Sequence, residues 1–563
     1  MQVALMQLSY RVGLIHSNAQ LITAAAQSAK AAGADFAAYS ELSITGYPPM
    51  DLLKDRGFLY DCEQILLLIA KEVPLPVLVG SPFRDGRGLF NAYFMLYNNQ
   101  VILVSRKSLL PNYDVFDESR YFLSSGQCSS FVLNSEEIGV AICEDLWFED
   151  GQYPYPHDPL RHLMEQRRAA IRFVLNPAAS PFSMQGQALR ERVLKGASTR
   201  HKVPIAYVNQ VGANGDMIFD GGTSVWLPHK GSLASCPVFT ESFLLWDTQT
   251  DSAQAIDYYD HRDFKFSSSL HFLDKAFQVE GAEVLGQFFK AQEVTKALCL
   301  GIRDYLAMTG GKKVVIGLSG GVDSAVVLCL AVMALGSENV TALLMPSGYS
   351  SERSVEDSVA LCRLHEVAYQ ILSIEDGFGA VMGTLQAQWE TPPMGLTEEN
   401  IQPRLRALFL MAYSNQYGAM WLNSSNKSEA AVGYSTLYGD MGGGLSVIGD
   451  LYKTQVYALA NSWNSNWEWI PSSILEAAPS AELRPGQLDS DSLPPYPMLD
   501  AILMDRIEGG LDEEGLMLKG HDPDLVRRVM DMMRRSEFKR HQMPPVLRVS
   551  SRSFGRGWRR SLV

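Results

Sequence analysis

The run Ser319-Gly320-Gly321-Val322-Asp323-Ser324 combines the groups that hold a phosphate. Its glycines let backbone N–H groups approach the phosphate closely, its serines add hydroxyl donors, and a helix that starts there adds partial positive charge. Asp323 can hold Mg²⁺ between itself and the phosphates. A bare glycine pair often marks only a turn, but the full run after the apolar residues 314–318 favours a phosphate site. The G-x-x-x-x-G-K-[ST] pattern of a Walker A loop is absent.

The first half of the chain carries three residues that together suit amide cleavage: Glu41, Lys107 and Cys143. Such a reaction needs a nucleophile, a base for its proton and a positive group at the developing oxyanion. A cation near a cysteine also favours the thiolate form. A single cysteine is more often an inert core residue, so the hypothesis depends on the three together. They lie far apart in the sequence, and their convergence is inferred.

The elements that would position these residues follow an α/β pattern. Up to about residue 260, short apolar runs recur between turn signals, with helical stretches at 16–32 and 186–199. One apolar strand is predicted to stop at Cys143. From residue 313, apolar strand and helix patterns alternate, which predicts a parallel sheet with right-handed crossovers. The strands of that sheet are predicted at 314–318, 341–345, 370–374 and 420–423.

Two large domains and a linker account for the 563 residues. We predict the first domain over 1–260 and the second over 291–563, which opens with a helix at about 292–308. The linker, 261–290, holds Ser267, Ser268 and Ser269 in a phenylalanine-rich stretch without clear strand alternation. We interpret it as a segment packed on the surface. The proline-rich residues 485–497 predict a loop.

Composition narrows the function classes. The net charge is −14 and the pI is about 5.3, which argues against binding to nucleic acid or to an acidic membrane surface. The seven cysteines form no C-x-x-C pair, so neither a zinc site nor a disulfide framework is predicted. Residues 1–8 are typical of a strand rather than a signal peptide, and no run of about 18 apolar residues suggests a membrane span. We expect reduced thiols and a cytoplasmic location.

The phosphate-binding run resembles that of the ATP-pyrophosphatase (PP-loop) family, whose members cleave ATP to AMP and pyrophosphate. Further blocks over essentially all of 290–557 resemble NAD synthetases. These blocks are Leu396-Thr397-Glu398-Glu399-Asn400-Ile401-Gln402, Ser425-Asn426-Lys427-Ser428-Glu429, Tyr438-Gly439-Asp440-Met441, Val447-Ile448-Gly449-Asp450-Leu451-Tyr452-Lys453-Thr454, Pro479-Ser480-Ala481-Glu482-Leu483-Arg484-Pro485 and Phe538-Lys539-Arg540. The resemblance implies a doubly wound parallel-sheet domain of the adenine nucleotide alpha hydrolase type.

The same resemblance implies roles for individual residues. Asp323 and Glu429 would hold magnesium, Asn400, Glu429 and Lys539 would contact deamido-NAD, and Lys453 would lie near the phosphates. Taken singly, Glu429 would also suit a solvated helix start, and Lys453 the residue before a helix cap. The implied ATP-binding residues are Gly317, Leu318, Ser319, Gly320, Gly321, Val322, Asp323, Ser324 and Ser424.

Three segments of the first half, 40–49, 106–113 and 140–147, resemble the nitrilase superfamily over roughly 1–260. That resemblance implies a four-layer α-β-β-α sandwich with a Glu–Lys–Cys triad. Cys143 would be the nucleophile, Glu41 the general base and Lys107 the group that stabilises the oxyanion.

The family pattern also points to Tyr113 and Ser180 as contacts of a glutamine substrate. It usually places a basic residue six positions after that serine, where this chain has Gly186. Arg190, Arg192 or the backbone would then have to bind the carboxylate. The chain departs from the pattern at two further positions. Ser40 replaces a common proline, and Gly348 replaces an arginine that would stabilise phosphate charge.

Together, the resemblances imply an enzyme that takes ammonia from L-glutamine and uses it, with ATP and Mg²⁺, to convert deamido-NAD⁺ to NAD⁺. They also imply a homo-oligomer, at least a dimer, with small-molecule substrates and no nucleic-acid or membrane partner. Two alternatives stay open. One is a synthetase that uses only free ammonia because its glutaminase is impaired, which Gly186 motivates. The other is a different PP-loop adenylylating enzyme that modifies RNA, against which the acidic balance speaks.

Overall fold

The computed structural model describes the chain except residues 149–153, 168–169, 259–281, 392, 466 and 563. The chain divides into two units, Met1–Asp263 and Phe264–Val563. The domain limits 1–260, 261–290 and 291–563 stay predictions, because most of the linker, including Ser267, Ser268 and Ser269, lies outside the described residues. Near the end of the linker a short antiparallel hairpin forms, where no strand pattern was evident.

The described residues of the first unit form two large sheets and a two-stranded one. Its strands are β1 (Gln2–Gln7), β2 (Phe36–Ala38), β3 (Val77–Asp85), β4 (Gly88–Tyr97), β5 (Gln100–Arg106), β6 (Ser129–Leu133), β7 (Glu136–Val140), β8 (Ile171–Ala178), β9 (Ile205–Asn209), β10 (Val211–Asn214), β11 (Met217–Asp220), β12 (Ser224–Leu227), β13 (Gly231–Ser235), β14 (Ser242–Asp247) and β15 (Ser252–Asp257). One sheet has the order β15-β14-β1-β2-β3-β4-β5, the other β13-β12-β9-β8-β7-β6, and β10 pairs with β11. Both large sheets mix parallel and antiparallel pairs.

Helices cover the outer faces of these sheets. Helices α1 (Ile15–Ala31) and α2 (Arg56–Glu72) contact the first sheet, and α4 (Gly186–His201) contacts the second, while α3 (Pro159–Arg167) precedes β8. Side chains from both sheets join one hydrophobic cluster between them. Strand β1 lies in the middle of its sheet, and Val3 to Gln7 are fully buried on both faces. The predicted four-layer α-β-β-α sandwich is confirmed.

The second unit contains a five-stranded parallel sheet. Its strands and the preceding hairpin are β16 (Ala282–Val284), β17 (Gln287–Phe289), β18 (Lys313–Leu318), β19 (Val340–Leu344), β20 (Ala368–Ile371), β21 (Ala419–Asn423) and β22 (Leu445–Ser446). The sheet has the order β20-β19-β18-β21-β22. Strand addition therefore reverses between β18 and β21, and at such a switch point ligands bind beyond the carboxyl ends of the strands. The phosphate-binding run follows β18 there. The predicted strand 370–374 was wrong at its end, because Ile374 already caps the next helix.

Helices surround this sheet. They are α5 (Ala291–Met308), α6 (Val322–Leu335), α7 (Glu352–Leu364), α8 (Glu375–Gln388), α9 (Leu396–Tyr417), α10 (Lys427–Val432), α11 (Lys453–Asn464), α12 (Ser472–Glu476), α13 (Tyr496–Ile507), α14 (Glu513–Leu518), α15 (Pro523–Arg535) and α16 (Glu537–Arg540). Nearly every residue of α6 is buried, because α5 and α11 cover the faces that the sheet does not. Within the described ranges, no helix is long and apolar enough to cross a membrane. All seven cysteines are free thiols.

Candidate active sites

Each unit places one group of predicted residues where strands end. In the first unit Lys107 follows β5 directly, and Glu41 follows β2 by three residues. Strand β7 ends at Val140, so the prediction that the strand stops at Cys143 was wrong by three residues. Cys143 instead opens a 3₁₀ turn with φ +46°. That left-handed backbone is rare for a non-glycine residue and is typical of strained functional turns.

Glu41 and Lys107 form a buried ion pair. The Lys107 ammonium donates to Glu41 Oε1 over 2.6 Å, and both side chains are almost completely buried. Asn91 Nδ2 donates to the same oxygen over 2.6 Å, while the backbone N–H of Ala179 donates to Oε2 over 3.1 Å. These contacts hold the Glu41 carboxylate in one orientation.

A second carboxylate, Glu118, shares the same lysine. The Lys107 ammonium donates to Glu118 Oε1 over 2.8 Å, and the Tyr47 hydroxyl donates to that oxygen over 2.9 Å. Burial raises the pKa of Glu118 to about 7, although Lys107 opposes the shift. Burial alone would lower the pKa of Lys107, but Glu118 and Glu41 together raise it well above its usual range. The lysine is therefore a fixed cation between two acids.

The surroundings of Cys143 favour the thiol over the thiolate. Burial raises the pKa of Cys143 well above its usual range, Glu41 raises it further, and Lys107 lowers it by less. The expected effect of the cation is present, since Lys107 lowers the pKa of Cys143, but burial and Glu41 outweigh it. A nucleophile in this state needs a base to remove its proton during attack.

A polar cluster adjoins the cysteine. The hydroxyls of Tyr113 and Tyr155 donate to Glu144 Oε1 over 3.0 and 2.6 Å. Burial raises the pKa of Glu144. Ser180 follows Ala179, which contacts Glu41, and its backbone N–H donates to Asn209 Oδ1 over 2.9 Å. Tyr113 and Ser180 thus lie on segments that flank the cysteine and its acid partner.

The cation expected near Gly186 is not freely available. Gly186 begins α4, and a side chain there would meet Ser183 Oγ. Arg190, one helical turn later, is buried in an ion pair with Asp220 and donates to the carbonyl oxygen of Pro181 over 3.4 Å. Arg192 is exposed. Arg190 stays charged, but Asp220 already balances that charge.

In the second unit a cavity of about 350 Å³ opens beside the phosphate-binding run. The predicted residues that line it are Gly317, Leu318, Ser319, Gly320, Gly321, Val322, Asp323, Ser324, Ser424, Glu429 and Lys453. Gly320 has φ +78°, and a Cβ there would lie 2.6 Å from the carbonyl oxygen of Ser354. Only glycine fits this position, because the loop packs directly on the backbone at the start of α7.

Charged side chains from three elements meet at this cavity. The Lys453 ammonium forms a close ion pair with Asp323 and lies 3.6 Å from Glu429 Oε1. Asn426 caps α10 by accepting from the backbone N–H of Glu429, and its Nδ2 donates to Asp323 Oδ1 over 3.1 Å. Burial, and then the charge of Asp323, raise the pKa of Glu429 to about 8, although Lys453 opposes them. Lys453 is the first residue of α11 rather than the residue before a cap.

Two predicted residues, Asn400 and Lys539, are not among those that line the cavity. Lys539 donates to the carbonyl oxygens of Gly433 and Ser435 over 2.7 and 2.6 Å. Asn400 Oδ1 accepts from the Thr436 hydroxyl over 2.7 Å. Both therefore hold the segment 433–436, of which Ser435 lines the cavity.

Although Gly348 replaces the arginine of the family pattern, two other arginines lie at this site. The backbone N–H of Gly348 donates to Glu375 Oε2 over 2.8 Å. Arg353 and Arg406 line the cavity instead. Arg406 donates from Nε to the carbonyl oxygen of Met345 over 3.0 Å, and burial lowers its pKa. Neither arginine stood out in the sequence, because nothing in its spacing brings it next to the run after β18.

Comparison with known proteins identifies the family of each unit. A carbon–nitrogen hydrolase family model matches residues 2–258, and an NAD synthase model matches 294–544. A glutamine-dependent NAD(+) synthetase of Synechocystis is 39% identical to this chain. The aligned region covers 99% of this chain and 97% of the Synechocystis protein. This chain belongs to the glutamine-dependent NAD(+) synthetase family.

Solved structures extend the family comparison to the whole fold. The glutamine-dependent NAD⁺ synthetase from Acinetobacter baumannii, in complex with adenosine diphosphate, is 32% identical to this chain, and its structure matches with a TM-score of 0.74. The match covers 100% of this chain and 98% of the Acinetobacter protein. The glutamine-dependent NAD(+) synthetase from Cytophaga hutchinsonii shares the fold, with a TM-score of 0.78 at 19% identity. Membership in this family rules out the RNA-modifying alternative.

Proposed function

We propose that this chain converts deamido-NAD⁺ to NAD⁺ with ATP and with ammonia that its first unit releases from L-glutamine. The observation that supports this most directly is that one chain holds both required sites. One is Cys143 beside the buried Glu41–Lys107 pair, and the other is the Asp323–Lys453–Glu429 group beside the phosphate-binding run. Neither site alone would account for a family that couples glutamine to synthesis of the dinucleotide.

In the first unit Cys143 attacks the side-chain amide carbon of glutamine. Glu41 takes the thiol proton as the C–S bond forms, and the Lys107 ammonium stabilises the negative charge on the amide oxygen. The C–N bond then breaks, and Glu41 returns the proton to the nitrogen, which leaves as ammonia. Water, deprotonated by Glu41, hydrolyses the thioester to glutamate and restores the thiol. The thiol state of Cys143 supports this role of the base.

In the second unit the nicotinate carboxylate of deamido-NAD⁺ attacks the α-phosphorus of ATP, and pyrophosphate leaves. Ammonia attacks the resulting acyl adenylate, and AMP leaves as the amide forms. The hydroxyls of Ser319 and Ser324, 3.2 Å apart, supply donors for phosphate oxygens beside the start of α6. Lys453 supplies a buried cation where negative charge moves from the reacting phosphate to pyrophosphate.

Asp323 and Glu429 fit a magnesium ion. Their carboxylates face the same ammonium at one end of the cavity, and Mg²⁺ is usually held by one or two carboxylates together with substrate phosphates. Among the described residues no group of three or more His, Cys, Asp or Glu side chains forms a ready metal site, which agrees with an ion that arrives with ATP. When bound, the ion would neutralise phosphate charge.

Glutamine recognition is assigned to the cluster next to Cys143. We place the α-ammonium of glutamine against Glu144, with Tyr113 and Ser180 beside it, because Glu144 is a buried acid next to the nucleophile. For the α-carboxylate we favour backbone N–H groups near Gly186 over Arg190, which Asp220 already pairs. Asn400, Glu429 and Lys539 stay the proposed deamido-NAD⁺-binding residues. Asn400 and Lys539 would act by holding the segment 433–436, which they contact.

Glu144→Gln should raise the KM for glutamine about 10- to 100-fold, since a hydrogen bond to a charged group contributes about 1.5–3 kcal/mol. The amide keeps the contacts to Tyr113 and Tyr155 but loses the charge that would meet an ammonium group. Steady-state glutaminase kinetics check this, with a primary amide that lacks the α-amino group as the matched substrate. If KM rises equally for both substrates, Glu144 does not bind the ammonium.

Glu118→Gln should lower the kcat of glutamine hydrolysis about 100-fold, in the range expected when a catalytic group is misplaced. The amide introduced at position 118 still accepts from the Tyr47 hydroxyl but no longer holds Lys107 by charge. The Lys107 ammonium should therefore shift toward Glu41. Ammonium-driven NAD⁺ formation should be unaffected and serves as the internal control. An unchanged kcat for glutamine hydrolysis would refute this positioning of Lys107.

A homo-oligomer, at least a dimer, belongs to the same proposal. None of the residues of α8 is buried, and Leu408 and Met411 on the adjacent α9 are 60% and 45% exposed. Exposed apolar residues on neighbouring helices support an interface in the second unit. The cytoplasmic location stays a prediction.

Product analysis tests the proposed function as a whole. Purified protein is incubated with ATP, magnesium, deamido-NAD⁺ and either glutamine or an ammonium salt. We expect NAD⁺, AMP and pyrophosphate in equal amounts from both nitrogen sources, with glutamate formed only from glutamine. Absence of AMP in the presence of deamido-NAD⁺ and ammonium would exclude the synthetase assignment.

A further inference from the structure

Asp500 lies on α13 and is completely buried, yet none of the sequence blocks contains it. Its Oδ1 accepts from the Ser428 hydroxyl over 2.5 Å, and its Oδ2 accepts from the backbone N–H of Thr454 over 2.9 Å. Ser428 belongs to α10 and Thr454 to α11. One carboxylate therefore joins two helices that are separate in the sequence.

These two contacts fall directly beside the charged residues of the cavity. Ser428 precedes Glu429, and Thr454 follows Lys453. The Ser428 hydroxyl also accepts from the backbone N–H of Lys453 over 2.9 Å. The hydrogen bonds form a closed ring through Asp500 and the starts of both helices, so the starts cannot slide past each other without breaking one of them.

A second residue of α13 contacts the same lysine. Tyr496 lies four residues before Asp500, on the same helix face. The Lys453 ammonium lies over the Tyr496 ring at 5.4 Å from its centroid, and the Tyr496 hydroxyl donates to Asp489 Oδ2 over 2.8 Å. Helix α13 thus supports the side chain of Lys453 with an aromatic face and its backbone with a carboxylate.

A carboxylate is a costly residue with which to fill this space. Burial raises the pKa of Asp500 to about 6, while its hydrogen bonds to Ser428 and Thr454 oppose the shift. An apolar side chain would avoid the desolvation cost of a buried charge. What the carboxylate adds is directional bonds that fix the distance between the two helix starts.

We propose that Asp500 is a positioning residue of the synthetase step, which sets the 3.6 Å separation of the Glu429 carboxylate and the Lys453 ammonium by tying together the starts of α10 and α11. The inference rests on the proposed function of the second unit. Asp500 does not line the cavity, so it would act on the reaction indirectly, through the positions of Glu429 and Lys453.

Ammonium-driven kinetics of Asp500→Asn, Asp500→Ala and Ser428→Ala test the proposal. We expect kcat to fall about 10- to 100-fold, with the KM values for ATP and deamido-NAD⁺ nearly unchanged, because misplacement of charge affects the transition state most. Asp500→Asn should retain more activity than Asp500→Ala, since its side-chain oxygen still accepts from Thr454. The double variant Ser428→Ala/Asp500→Asn should be no slower than the slower single variant. Met498→Ala, at a half-exposed site on α13, is the matched control and should behave like wild type.

Each outcome decides the proposal. Unchanged kcat in folded Asp500→Asn and Ser428→Ala, a fall confined to KM, or additive effects in the double variant would overturn it. If Asp500→Asn does not fold, Ser428→Ala decides alone, because it breaks the same ring without removing a charge. Failure of the proposed function itself would show first in wild type, as absence of AMP from ATP, deamido-NAD⁺ and ammonium.

Discussion

Replacing Cys143 with alanine should abolish glutamine-driven NAD⁺ formation and leave ammonium-driven formation at its wild-type rate. Loss of a nucleophile commonly costs about 10⁴-fold or more in kcat. Here the loss should be nearly complete, because Glu41 and Lys107 are held in a buried pair whose partners are Asn91, Glu118 and the backbone of Ala179, none of which can replace a thiol. The measurement is NAD⁺ formation from each nitrogen source, together with glutamate release.

Cys62→Ala is the matched control for this experiment. Cys62 is buried in the first unit too, but it lies on α2, which carries none of the three proposed catalytic residues. It should lose some stability and keep glutamine-driven turnover. If Cys143→Ala keeps glutamine-driven turnover, the triad is wrong. If wild type itself works only with ammonium, the alternative of a synthetase with an impaired glutaminase, which Gly186 motivated, is correct.

The sequence was sufficient to select Glu41, Lys107 and Cys143, which the structure brings together, but not to predict the protonation state of each; their catalytic roles stay a proposal. Lys107 follows β5 directly, and Glu41 and Cys143 each lie three residues beyond a strand, close to where apolar runs of the sequence end. Glu118 is not recognisable in the same way, because it follows no strand and meets Lys107 only through the fold. The pKa of Cys143 depends on the sum of burial and several charges, and no single neighbour in the sequence determines its sign.

In the second unit the phosphate-binding run could be predicted because strand, turn and helix are contiguous there. Gly320 meets a further requirement that the sequence did not indicate, since a Cβ there would meet the backbone of Ser354 on another helix. Asn400 and Lys539 were matched by family blocks, yet neither lines the cavity, and both contact the segment 433–436 instead. Asp500 was missed because its contacts with Ser428 and Thr454 are long-range in the sequence.

Lys453→Met should lower NAD⁺ formation from both nitrogen sources about 10²- to 10³-fold, the usual cost of removing one group that stabilises transition-state charge. Glutamine hydrolysis should continue, since the first unit keeps its triad. In the wild-type protein the Lys453 ammonium lies beside both the Asp323 and the Glu429 carboxyl groups. Without it, two carboxylates remain close together, and Glu429, whose pKa Lys453 holds down to about 8, should retain its proton to still higher pH.

Lys519→Met, at an exposed lysine that pairs with Asp505, controls for loss of a charge in the same unit and should behave like wild type. Breaking a buried pair also costs about 3–5 kcal/mol of stability, so thermal unfolding must be followed beside activity. Lys453→Arg separates the effect of the positive charge from the effect of its placement, because it keeps the charge and changes the shape of the cationic group. A folded Lys453→Met with wild-type ammonium-driven kcat would contradict the role of Lys453. A fall in Lys453→Arg as large as in Lys453→Met would show that the reaction depends on the placement of the cation as much as on its charge, as the ring through Ser428 and Asp500 requires.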